Sequence, residues 1–316
     1  MKRLKPIQPS DYNERILQRK FFDIFLKILI EPLTDILEKY DSNFILNSKN
    51  NALVDAIKVG RVKYVNNQFI GSFNADISIA LKKIGAIYNS DTKTFDISYN
   101  KIPFAIQNEI QMYIAKQRQI NQEIQLAINN VDIDSFLAKE TLELQYLQVI
   151  KTVDNKFATT VIDVIGIEPE ITDTMKQKIA ELYSNNAKLH IKNFTTEQID
   201  KLRQELAYKS VMSGERAEDL ADIIRKYYDI SKTKARFIGS QENRLLTSSY
   251  RRAKYEDVGI DKFEWSTSDD VRVRDAHKML DGKIFTYKDG AINPITSERI
   301  WCGSEFGCRC IDIPIV

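Results

Sequence analysis

The chain has 316 residues, 43% of them apolar and 28% charged, enough to bury two or three cores or one long body with appendages. Its 46 basic and 44 acidic residues nearly cancel, to a net charge of +2. That excludes a general electrostatic pull toward nucleic acid or membrane and leaves such binding to local patches.

With 11 Gly and 7 Pro, the composition favours helices with short connections over a Gly-rich β architecture. The N-terminus "MKRLKPIQPSDY" has no apolar core region and no small-residue cleavage site, so no signal peptide is expected. The apolar run from Phe21 to Ile30 is interrupted by Asp23 and Lys27 and is too short to span a bilayer. The chain is therefore expected in a cytoplasm, where structural disulfides are disfavoured. Residues 11–40 read as helix, apolar nearly all round between Phe21 and Ile30. This fits a central core helix, with a partner-binding helix as the alternative. Pro32 is expected to kink or divide it. Next, Val62 and Tyr64 alternate with Arg61 and Lys63 before Asn66-Asn67, which predicts a β-hairpin. A short helix ending near Gly85 follows, then a second hairpin turning around Ser90 to Lys93. Together these form a small α+β insert near residues 58–100.

From residue 103 to 130, Ile106, Ile110, Ile114, Ile120, Ile124 and Ile128 keep helical spacing, and a second helical stretch follows from Asp134 to Ile150. The two could pair antiparallel or form one face of a larger bundle. Further helices are predicted over 172–186, 195–212 and 213–229, the last with Ser213 as N-cap. A long helix from Ser231 ends at Gly259. Its stripe of Ala235, Ile238, Leu245, Ser249 and Ala253 is expected to face inward, with Lys232, Lys234, Arg236, Arg244, Arg251, Arg252 and Lys254 over the rest. The fold class is mainly α with small α+β parts: an elongated helical body, the hairpin-containing insert, and a compact C-terminal α+β module. The expected divisions are 1–150, 151–230 and 231–316.

The chemistry concentrates at the C-terminus. Cys302, Cys308 and Cys310 are the only cysteines, and His277 is one of two histidines. Three thiolates and one imidazole suit a tetrahedral zinc ion, and Gly303 and Gly307 would let the backbone turn tightly around it. The alternative is three reduced thiols in a small core, with His277 bonded to a carbonyl. Arg272, Arg274 and Asp275 surround His277 in sequence. They could make an acid/base site for phosphodiesters, with His277 as base and the arginines as charge stabilisers, or an ordinary ion-pair network. Arg244, Arg251, Arg252 and Lys254 are candidate nucleic-acid contacts. The alternative is a solvated face, since Glu242, Glu256 and Asp257 interrupt it and aromatic interleaving is weak. His190 reads as a surface or packing residue.

The stretch "ARFIGSQENRLLTSSYRRAKYEDVGIDKFEWSTSDDVRVRDAHKMLDGKIF", followed by "CRC", resembles the C-terminal domain of the phage Mu F-like minor head proteins, the phage head morphogenesis family. The residues that carry the likeness are Gly259, Trp265, Asp270, Arg272, Val273, Arg274, His277, Leu280, Asp281, Gly282, Phe285, Cys308, Arg309 and Cys310. The insert "GRVKYVNNQFIGSFNADISIALKKIGA" resembles the N-terminal region of some members. Members often carry H-P-N before C-R-C, where this chain has Glu305, Phe306 and Gly307. That histidine would be a natural metal ligand, and Cys302 would replace it in a set holding one structural Zn²⁺. The resemblance implies a non-enzymatic minor component of a tailed-phage head. Its expected partners are the portal protein, major capsid or scaffold proteins and packaged DNA, with no membrane. It would sit in the virion, in the head interior or at the portal vertex, and in host cytoplasm during assembly. Its role would lie in head morphogenesis and in DNA packaging or ejection. Some relatives carry a toxin or enzyme domain after C-R-C, and none is expected here. The rival functions are a metal-assisted nuclease or other hydrolase using His277 and the arginines, and a DNA-contacting module on the basic helix.

Overall fold

The computed structural model describes residues 2–41, 52–212 and 217–316. The chain opens with α1 (Asp11–Phe25), a π-helical turn (Leu26–Ile30), α2 (Glu31–Asp41) and α3 (Ala52–Lys58). The hairpin β1 (Val62–Val65) and β2 (Gln68–Gly71), helix α4 (Ala75–Lys83), and strands β3 (Ile87–Asn89) and β4 (Thr94–Asp96) follow. Then come α5 (Phe104–Asn129), α6 (Ile133–Lys139), α7 (Glu143–Phe157), a second π turn, the short α8 (Asp163–Ile165), α9 (Asp173–Met212) and α10 (Ala217–Asp257). The end comprises β5 (Lys262–Ser266), α11 (Asp275–Lys278), β6 (Ile284–Thr286), β7 (Ala291–Ile292), β8 (Arg299–Ile300) and β9 (Ile311–Ile315). Helix accounts for 62% of the chain and strand for 11%. The chain is thus mainly α with small antiparallel sheets, as its composition predicts.

Several boundaries differ from the sequence expectation. The helix is divided just before Pro32, as expected, but Pro32 does not end it. Its missing N–H and bulky ring are absorbed by widening the preceding turn to a π-helix at Leu26–Ile30. The helices expected over 172–186 and 195–212 are one helix, α9. α10 likewise runs through the break expected near residue 230. Neither stretch contains Pro, and Gly239 is the sole Gly, so nothing local stops either helix. The N-cap expected at Ser213 lies outside the described residues. No helix among the described residues is long and apolar enough to cross a membrane.

The chain forms two compact units, one from residues 1–25, 133–194 and 230–316, the other from 26–132 and 195–229. In the second, the strands order as β1-β2-β4-β3, all antiparallel. Asn66 and Asn67 take φ of 49° and 62°, the double left-handed turn a two-residue hairpin needs. Asn74 caps α4 by accepting the Ile77 N–H at 2.9 Å, and Gly85 ends it. Leu53, Ile57, Val62, Phe69, Leu81, Phe95, Ile106 and Ile110 share one core.

In the first unit, β5 is the middle strand of β6-β5-β9. β9 pairs with it from Lys262↔Ile315 to Ser266↔Ile311, and Arg3 bridges to Ile315 on the outer side. Tyr287 stacks between Tyr255 and Phe263, with centroids at 5.3 and 4.8 Å. α10 closes on α1 at Gly239, where a Cβ would lie 2.6 Å from the Gln18 nitrogen. The inward stripe expected on α10 is only partly right. Ala235 and Ile238 are buried, Leu245 and Ser249 half-buried, and Ala253 exposed. The helix meets α1, α7, α9 and the C-terminal loop, so its buried surface is broader than one apolar stripe and includes Glu242, Arg251 and Lys254.

Candidate functional site

Alternation along β9 and the residues leading into it sets the site. Cys308 and Cys310 are two positions apart in an extended segment, so both thiols point to one side and Arg309 to the other. Both thiols meet His277 on α11. Its Nδ1 lies 3.6 Å from Cys308 Sγ and 3.4 Å from Cys310 Sγ. All three residues are buried, and their donor atoms lie within 4.8 Å of one another. On the far side of the ring, Nε2 is hydrogen-bonded to the Glu305 carboxylate. Trp265 packs edge-on against the imidazole at 5.4 Å.

The remaining family-motif residues build the walls. Arg309 grips Asp270 with two bonds, of 2.7 and 2.6 Å, which ties the 268–274 turn to the C-R-C segment. This pairing holds the Asp270 carboxyl well below the usual range, with help from the Arg272 N–H. Arg274 donates to the Phe306 carbonyl and reaches Glu305 at 3.4 Å. Asp281 accepts the Thr267 N–H at 2.7 Å, and the Gly282 N–H donates to the Trp265 carbonyl at 2.8 Å. Leu280 is buried, and Phe285 meets the Trp265 ring at 6.3 Å. Arg272 stays largely exposed, beside Asp270.

The expected fourth ligand, Cys302, is not in the cluster. Ser248 on α10 donates to its carbonyl, and the chain turns away at Gly303, φ 78°. Burial, reinforced by Asp312, raises its thiol pKa well above the ordinary value. Cys308 behaves oppositely. Hydrogen bonds from Cys310, from His277 and from the backbone N–H groups of Cys310 and Gly303 outweigh its burial and lower its pKa to about 4. Cys310 is raised, by its hydrogen bond to Cys308 and by burial. His277 is raised too, first by Cys308, against its own desolvation, and also by Glu305. The donor set of two cysteine sulfurs and one oriented imidazole, within 4.8 Å of one another, fits a soft divalent ion.

The acid/base constellation is not assembled. His277 is 2% exposed with both ring nitrogens engaged. Asp275 pairs with Lys278 at 3.0 Å. The nucleic-acid candidates also need correction. Arg251 is 1% exposed, bonded to Asp312 and to the Ile7 carbonyl, and Lys254 is buried on Asp154. Neither can reach a phosphate, because each neutralises an acid inside the unit. Arg252 lies 4.3 Å over the Trp301 ring, and Arg244 lines a cavity beside the thiols. His190 is exposed.

Residues 200–313 match the family described as Phage Mu protein F like protein. That stretch is Mu F-like, in agreement with the motif read from the sequence, and its motif residues are those that close the site. An uncharacterized protein of Haemophilus influenzae is 27% identical over 250 residues, covering 79% of this chain and 51% of that protein. The chain thus spans about half the length of this relative. No solved structure matches. Sequence reasoning noted Glu305 only as a departure from the family pattern and missed its hydrogen bond to His277. It also missed Gln241, whose Oε1 accepts the Gly307 N–H at 2.6 Å. The departure at Glu305 was itself the signal, since a carboxylate beside a buried histidine is a familiar orienting pair.

Proposed function

We propose that this chain is a minor head protein of a tailed bacteriophage, bound to the portal during head assembly and acting in head morphogenesis. The observation that carries the proposal is the Mu F-like match over residues 200–313, together with the way the motif side chains converge on one closed C-terminal module. We take its role as structural rather than enzymatic. Support comes from His277, which is buried with both nitrogens engaged and so presents no free base to a substrate. Packaged DNA, major capsid and scaffold proteins are its further expected neighbours in the virion. We also propose that the thiol–imidazole cluster holds one Zn²⁺, which would fasten the 301–310 loop against β5 and α11. Bound zinc would add to the β5–β9 pairing rather than replace it.

The test is co-expression of the full chain with the cognate portal and scaffold proteins, followed by affinity capture of the portal oligomer. The chain should co-purify in a fixed, small ratio to portal. Portal oligomers that form fully and carry none of it would count against the proposal.

A further inference from the structure

The zinc reading leaves the ligand set open, and the geometry narrows it. Four groups surround the imidazole, and they are not equivalent. Cys308 and Cys310 present their sulfurs to Nδ1, whereas Glu305 takes Nε2 from the opposite side of the ring. A carboxylate there accepts the Nε2 proton, which fixes the tautomer and turns the Nδ1 lone pair toward the sulfurs. Glu305 is thus on the wrong side to be a ligand and on the right side to aim one. It is held there from several directions, by Arg274 at 3.4 Å, by Asn293 at 3.4 Å and by the Cys308 N–H on its carbonyl at 2.9 Å.

Two further observations bear on the ion. The buried Trp265 indole N–H has no nitrogen or oxygen acceptor and faces the Cys310 sulfur, on a ring that packs against His277. A metal-bound sulfur remains an acceptor for that N–H, so the indole supports Cys310 from outside the ligand set. On the other flank, Cys308 and Cys310 line a cavity of about 180 Å³, shared with Gly303, Arg244, Ser248 and Asp11. That is ample room for water. Cys302 is set apart by the Ser248 bond to its carbonyl and by the turn at Gly303.

We infer that the centre is a Cys₂His site, formed by Cys308, Cys310 and His277 with Glu305 as its positioning residue. Cys302 stays outside the coordination sphere, and a water from the cavity fills the fourth position. This rests on the zinc reading above and differs from it in the ligand count. A Cys₃His site would be closed, whereas a three-ligand site keeps one exchangeable position.

X-ray absorption at the zinc edge on the full-length protein, purified without chelators from zinc-supplemented medium, decides between them. The inference expects two sulfurs at about 2.3 Å and two lighter atoms at about 2.0–2.1 Å. Three sulfurs and one nitrogen would overturn it while leaving the zinc reading intact, and protein that takes up no zinc would overturn both. Two variants check the assignment residue by residue. Cys302→Ser should keep one zinc per chain, and its loss there would overturn the inference. Glu305→Gln should keep the same sulfur count but weaken zinc affinity about 10–100-fold in a competition titration. Unchanged affinity would remove Glu305 from its positioning role.

Discussion

Glu242 lies on α10 at 3% exposure, and the hydrogen bond that reaches its carboxylate comes from the Tyr146 hydroxyl at 3.1 Å. Desolvation raises its pKa from 4.5 to about 7, and the Tyr146 bond offsets only part of that. The folded state therefore holds this proton more tightly than the unfolded chain. Stability from this group is fully present below the unfolded pKa and is lost as pH rises through the folded one. A shift of this size corresponds to about 3 kcal/mol, most of it crossed between pH 5 and pH 8. Replacing Glu242 with Gln keeps the shape and the acceptor for Tyr146 while removing the titration. Both tryptophans, Trp265 and Trp301, sit in the same unit as Glu242, so urea unfolding followed by tryptophan fluorescence reads that unit. Glu242→Gln should gain on the parent as pH rises, with the gap widening by about 2–3 kcal/mol from pH 5 to pH 8. A gap that stays constant to within about 0.5 kcal/mol would refute the reasoning.

Other perturbations follow the same lines. Arg251→Ala should cost about 3–5 kcal/mol, because it strands the buried Asp312 carboxylate; urea midpoints will show it, and a loss below about 1 kcal/mol would mean the pair is replaceable. Gly239→Ala gains about 1 kcal/mol of helix propensity but forces α10 from α1. A net loss of about 1–2 kcal/mol is expected by thermal unfolding, and a gain would mean the contact yields freely. The protein should not cleave single- or double-stranded DNA or RNA with Mg²⁺, Mn²⁺ or Zn²⁺ present. Cleavage that disappears in a folded His277→Ala variant would overturn the structural role.

Local signals were legible where the chain decides its own conformation. Asn66-Asn67 and Gly85 marked a hairpin and a stop, and the isoleucines of α5 marked its buried face: Ile106, Ile110, Ile120, Ile124 and Ile128 are buried and Ile114 is half-buried. The failures share a cause. Arg251 and Lys254 look like a basic surface in sequence, yet their acids, Asp312 and Asp154, come from distant segments, and no local pattern announces such a pairing. α9 and α10 outlast their weak helix formers because packing, not propensity, sustains them. At the site, the C-R-C alternation placed two thiols on one side, and the clustering of cysteines beside His277 pointed to the third donor. The exclusion of Cys302 depended on Ser248, 54 positions away, and so on tertiary structure alone.

The central claim is that this chain is built into phage heads. Quantitative mass spectrometry of purified particles, from a phage or prophage that encodes it, tests this most directly. The account predicts peptides from across residues 1–316 at a few copies per particle, rising and falling with the portal protein across assembly intermediates. Complete, DNA-filled heads that contain none of these peptides at any stage would contradict it.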